Sequence, residues 1–135
     1  MHRARFLVAG LVALALATPG RAAYAHPRLV RSTPAADSRS SESPPQIALT
    51  FNESLDLALT RVTLVRGSTP VRVDSLRLAA SDDKTVVAVV RAALPPGTYT
   101  VRWQVTGDDG HPVRGEFRFE VLAAAAPTAR RPSRS

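Results

Sequence analysis

The most regular stretch of the chain lies between residues 98 and 121. Tyr99, Val101, Trp103 and Val105 alternate with Thr98, Thr100, Arg102 and Gln104, and after a polar break Phe117, Phe119 and Val121 alternate with Glu116, Arg118 and Glu120. A hydrophobic period of two puts every second side chain on one face, so this pattern predicts two half-buried strands. Upstream, Ile47, Leu49 and Phe51 alternate within 46–51, and 85–90 is a β-branched run suited to a buried strand. Residues 27–33 read as a short extended segment ending at Pro34. In 57–65 the apolar positions are Leu57 and Leu59, then Val62 and Leu64, and the slip of phase near Thr60 predicts a bulge or a strand start. Residues 71–78 read as a further strand, although Val71 and Val73 are out of phase with Leu76 and Leu78.

Between these segments stand turn signals: Gly67 to Pro70, Ser81 to Lys84, and Leu94-Pro95-Pro96-Gly97. A Ser/Ala/Pro-rich loop occupies 35–45, and a connection carrying Glu53 occupies 52–56. About seven short strands with frequent turns and no helical period predict an all-β, immunoglobulin-like sandwich or barrel with Greek-key connections. Tyr99 and Trp103 belong to its core by their alternation with Val101, and Tyr99, just past Pro96-Gly97, is placed for a tyrosine-corner hydrogen bond.

The ends of the chain do not share this pattern. Arg3 and Arg5 precede an unbroken small and apolar run over 6–17, and Ala23-Tyr24-Ala25 supplies the small residues that signal peptidase requires. Residues 1–25 are therefore expected to be a secretory signal cleaved before His26, which places the mature protein in the periplasm or elsewhere in the cell envelope. Residues 123–135 are alanine- and proline-rich with three arginines, and are expected to be a disordered basic tail. The formal charge of +7 belongs mostly to these ends. Residues 26–124 hold twelve basic and eleven acidic side chains, so nucleic acid is not an expected partner. The chain has no cysteine, and the domain must be held by packing alone, without disulfides.

Candidate chemistry sits in Gly107-Asp108-Asp109-Gly110-His111-Pro112, between the two clearest strands. His111 and His26 are the two histidines beyond the signal. Cleavage before His26 would let one residue chelate a metal through its α-amine and its imidazole together. Pro27 lacks an N–H and cannot add a deprotonated amide nitrogen. Asp109, two residues from His111, would add a carboxylate. Such a nitrogen and oxygen set suits tetragonal copper(II), although zinc also accepts these ligand types. No sulfur ligand survives cleavage, because the single methionine is Met1. Metal binding through these groups should weaken below about pH 6.5, where imidazoles protonate. A structural reading stands beside this one, since Asp-Gly and His-Pro are common in plain turns. Asp82 and Asp83 read as a turn without companion ligands, Asp108 as a turn residue, and Glu53 as a solvated loop carboxylate.

Taken in order, Ala25-His26-Pro27, Ser32-Thr33-Pro34-Ala35, Ile47 to Phe51 with Glu53, Pro96-Gly97-Thr98-Tyr99 with Trp103, and Asp109-Gly110-His111-Pro112-Val113 with Gly115-Glu116-Phe117 resemble the CopC family of periplasmic copper-binding proteins, over about residues 26–122. The resemblance implies a seven-stranded Greek-key β-sandwich or barrel. It implies copper(II) held by the amine and imidazole of His26, the imidazole of His111 and the carboxylate of Asp109, with Glu53 as an acidic neighbour of the site. The methionine-rich loop of better-known members is missing from 66–78, so the chain resembles the copper(II)-only branch. The implied function is copper sequestration or delivery in copper homeostasis and resistance, by a monomer and without catalysis. A separate CopD-type membrane protein is the implied partner. Two other readings remain: a metal-independent β-sandwich interaction module, and a histidine-brace copper enzyme, for which a broad aromatic substrate face is missing.

Overall fold

A computed structural model describes residues 26–124; the expected signal segment and most of the expected tail lie outside them. Nine strands form two sheets: β1 (Leu29–Thr33), β2 (Arg39–Ser40), β3 (Gln46–Phe51), β4 (Arg61–Arg66), β5 (Thr69–Val71), β6 (Ser75–Ala79), β7 (Asp82–Val89), β8 (Gly97–Thr106) and β9 (Pro112–Val121). One sheet has the order β1-β3-β7-β6 and the other β2-β9-β8-β4-β5. The chain passes between sheets repeatedly, and the hairpins within a sheet are β4–β5, β6–β7 and β8–β9.

The alternating segments bury the faces their pattern requires. Ile47, Leu49 and Phe51 from β3, Val86 and Ala88 from β7, Tyr99, Val101 and Val105 from β8, and Phe117, Phe119 and Val121 from β9 form one core between the sheets. Burying each large side chain contributes about 1.5–3 kcal/mol, and the tyrosine ring stacks on Phe119 with centroids 5.4 Å apart. Tyr99 Oη donates to the Pro95 carbonyl oxygen at 2.5 Å, the expected tyrosine corner. Trp103 departs from the core expectation in part. It faces inward beside Phe51, with centroids 5.0 Å apart, but is only half-buried at the margin of the cluster.

The nine strands exceed the seven expected because β2 forms inside the expected loop 35–45 and the strand expected at 71–78 is two strands. Residues 71–78 are not one strand: β5 belongs to one sheet and β6 to the other, and the reversal of apolar phase marks the crossing between them. Leu57–Leu59 forms a 3-10 turn, N-capped by the Asp56 side chain, so the phase slip at Thr60 is a strand start. The turn expected at Ser81 to Lys84 is shorter, because β7 already begins at Asp82. There the Asp82 carboxylate accepts from the Thr85 hydroxyl at 2.5 Å and the Lys84 N–H at 2.9 Å, which holds it below the usual carboxylate range.

Candidate copper site

The β8–β9 hairpin runs in unbroken register to Thr106↔Pro112, so residues 107–111 form its tip. Gly110, at φ +75°, takes a left-handed conformation open to glycine without strain, and its N–H reaches the Gly107 carbonyl at 3.1 Å. Asp109 Oδ1 accepts the His111 N–H at 3.0 Å. This local bond orients the carboxylate and turns its other oxygen, Oδ2, inward.

The N-terminal arm arrives at the same place. Arg28 N–H donates to Asn52 Oδ1 at 2.6 Å and the Arg28 carbonyl accepts the Asn52 N–H at 3.2 Å, clamping the arm against the end of β3. Pro27 is fully buried, and with no N–H it carries no donor that burial would strand. Beside it Gly107 is packed so closely that a Cβ would stand 2.2 Å from Glu53 Oε1 and 3.0 Å from Pro27 Cγ. The missing side chain of Gly107 is therefore what lets Glu53 and Pro27 close over the hairpin base.

These constraints bring His26, Asp109 and His111 together. His26 Nδ1 lies 3.1 Å and His111 Nδ1 3.4 Å from the same atom, Asp109 Oδ2. The imidazoles stand edge to face, with centroids 6.2 Å apart. Both rings are largely exposed, at 60% and 71%, while the Asp109 side chain is 9% exposed. The Asp109 carboxyl is held below its usual range, first by the His111 N–H and then by the two imidazoles, against the opposing effect of burial. Despite the short distances, Asp109 Oδ2 is buried without a hydrogen-bond partner, and so is Glu53 Oε1. Buried acceptors without partners are costly, and both face the point where the arm meets the hairpin.

Imidazole and carboxylate are donor types that copper(II) accepts. Two ligand atoms each roughly 2.0–2.1 Å from a metal and at right angles are about 2.9 Å apart, shorter than the 3.1 and 3.4 Å nitrogen–oxygen separations here. Among the described residues no three His, Cys, Asp or Glu side chains stand together as a ready metal-binding group, so a site here needs a further donor, such as the amine of a chain starting at His26. The end of the molecule is also acidic. The loop after β3 carries Glu53 and Asp56, the hairpin tip Asp108 and Asp109, and the start of β7 Asp82 and Asp83. Leu55 N–H bonds to the Asp83 carbonyl and Asp56 N–H to the Thr106 carbonyl, which gathers the three segments at one end. Asp108 is an exposed turn residue as expected, whereas Glu53 is half-buried, not solvated.

A family model described as the CopC domain matches residues 29–122. The chain belongs to the CopC family. It is 35% identical over 106 residues to copper resistance protein C of Escherichia coli, which covers 73% of this chain and 83% of that one. The crystal structure of PcoC, a methionine-rich copper resistance protein from Escherichia coli, superposes with a TM-score of 0.66 at 35% identity, over 72% of this chain and 99% of that one. CopC from Methylosinus trichosporium OB3b shares the fold, with a TM-score of 0.68 at 24% identity, over 76% and 99%. Among the described residues of this CopC-family chain no helix is long and apolar enough to cross a membrane.

The roles of Asn52, Pro27 and Gly107 were not foreseen from sequence. An Asn after a strand and a Gly before an Asp pair both read as ordinary turn chemistry, and packing alone distinguishes them.

Proposed function

We propose that this chain is an exported copper(II)-binding protein that sequesters the ion or hands it to a membrane-bound copper transport protein of the CopD type. The ion is held by the amine and Nδ1 of His26, by His111 and by Asp109. The observation that carries this reading is the convergence of two Nδ1 atoms on the buried, unpartnered oxygen of Asp109. The six carboxylates at this end outnumber the nearby Arg28 and Lys84 and support it, since an excess of one sign raises the local concentration of an oppositely charged ion. Glu53, closed over Gly107, supports the position of the arm. The function is binding and transfer, not catalysis, in copper homeostasis and resistance. With one methionine in the whole sequence, Met1, the site has no soft sulfur donor and selects copper(II) over copper(I).

The test is a copper(II) titration of the mature protein and of His111→Ala, followed by calorimetry and by the copper EPR spectrum. Loss of one imidazole should weaken binding by about 100-fold or more and remove one nitrogen from the hyperfine pattern. Full affinity in His111→Ala would overturn the proposal.

The pH dependence follows from the same groups. A carboxyl held below its usual range stays ionised as pH falls and is lost as a ligand only once pH passes its lowered value. Copper(II) affinity should therefore decline first where imidazoles and the amine protonate. Asp109→Asn should lower affinity by about 10–100-fold without moving the pH at which the decline begins. A shifted onset in a titration series would assign the transition to the carboxylate instead.

A further inference from the structure

The outward face of the five-stranded sheet is a basic surface distinct from the copper site. Along β4, β8, β9 and β2 the side chains directed away from the core include Arg61, Arg102, Arg114, Arg118 and Arg39, against Glu116 and Glu120. All five arginines are exposed. Arg102 pairs with Glu116 at 3.1 Å and Arg39 with Glu120 at 2.6 Å. Among the described residues Arg61, Arg114 and Arg118 form no salt bridge, and Arg114 Nε donates to the neutral Gln104 Oε1 at 2.8 Å. The strand register sets Arg61, Gln104 and Arg114 in one row, so two guanidinium-bearing positions flank an amide roughly 10 Å apart. Neither arginine packs into the core.

The charge is segregated across the molecule. The strands of this face carry five arginines and two glutamates, with Asp37 at its edge beside Arg118, while the rest of residues 26–124 holds seven basic and eight acidic side chains. The face also lacks what a shape-specific protein interface is built around, a buried aromatic or aliphatic anchor. Its other outward residues on β4 and β8 are Thr63, Val65, Thr98, Thr100 and Gln104. A flat, anchor-free array of guanidiniums matches a plane of phosphates, which arginine binds through paired N–H donors. The chain leaves the fold next to this face, where Leu122 N–H bonds to the Ser40 carbonyl beside Arg39 at 2.8 Å.

We propose that the outward face of the five-stranded sheet docks on the anionic phospholipid surface of a membrane. The copper site sits at the strand ends, on the β8–β9 hairpin tip, and stays accessible beside the bilayer. Each arginine within a Debye length of the headgroups strengthens partition by about fivefold.

The experiment is flotation of the full mature protein with vesicles of phosphatidylcholine alone or mixed with phosphatidylglycerol, at low and at raised salt. The expected result is partition to the phosphatidylglycerol vesicles only, reversed by salt. The double variant Arg61→Glu, Arg118→Glu should lose at least about tenfold in partition. The double variant Arg77→Glu, Arg91→Glu, outside this face and with the same change in net charge, should lose less than about threefold. Both should unfold within a few degrees of the parent in a thermal scan, which shows that they are folded and does not depend on the copper proposal. Equal losses in the two double variants would reduce the effect to net charge, and absence of partition by the parent would leave the face to an acidic protein partner; either outcome overturns the proposal.

Discussion

A protein that begins at His26 is expected to bind one copper(II) ion at least about 100-fold more tightly than the same protein with one extra residue ahead of His26. The reason lies in which ring nitrogen faces the site. His26 presents Nδ1, not Nε2, to Asp109 Oδ2, at 3.1 Å. Nδ1 is the nitrogen that closes a six-membered chelate with the α-amine of the same residue, whereas Nε2 points too far away to do so. An added residue converts that amine to an amide, and amide nitrogens bind copper only after losing a proton. Pro27 cannot replace it, because it has no N–H and is packed out of reach of solvent. The extended protein would keep both imidazoles and Asp109, so it should show two nitrogens in its EPR hyperfine pattern where the native protein shows three. Equal affinity and equal spectra would remove the amine from the coordination sphere and leave a site of side chains alone.

The fold was legible where one face of a strand is buried and the other is wet. β3, β9 and the first part of β8 obey this rule, and Ile47, Leu49, Phe51, Tyr99, Val101, Val105, Phe117, Phe119 and Val121 are all core residues as their alternation requires. It was not legible where backbone pairing, not burial, defines the strand. β2 consists of Arg39 and Ser40, both exposed. It exists because Asp37 N–H bonds to the Arg118 carbonyl and the Ser38 carbonyl accepts the Glu120 N–H, contacts that leave no hydrophobic trace. The reversed phase between Val73 and Leu76 was visible, but its meaning as a sheet crossing required the partner strands. The site divides in the same way. Asp109 and His111 at a spacing of two announce a shared turn, and a candidate N-terminal histidine announces a chelate. That the two meet is a property of the Asn52 clamp and the Gly107 gap, both of which depend on residues distant in sequence.

Gly115→Ala should be the most destabilising single-methyl change in the domain, although nothing in a strand reading Val-Arg-Gly-Glu-Phe marks the glycine as critical. Gly115 pairs with Trp103 across β8 and β9. A Cβ at this position would stand 2.2 Å from Trp103 Cζ2 and 2.7 Å from Cε2. These are atoms of a rigid ring, not the free end of a flexible chain, so the whole indole must move. Its movement is opposed by Phe51, packed edge to face against it. Overpacking of this kind costs about 2 kcal/mol, which for a domain of this size lowers Tm by roughly 8–15 °C. The indole is free to be exchanged in one respect: Trp103 Nε1 is buried without a hydrogen-bond partner, so Trp103→Phe gives up area but no bond. The smaller ring leaves room for the added methyl, and the double variant Gly115→Ala, Trp103→Phe should be more stable than the sum of the two single changes requires. Thermal denaturation of the four proteins measures that coupling. Additive losses would mean that the glycine is required for strand geometry and not for the ring above it.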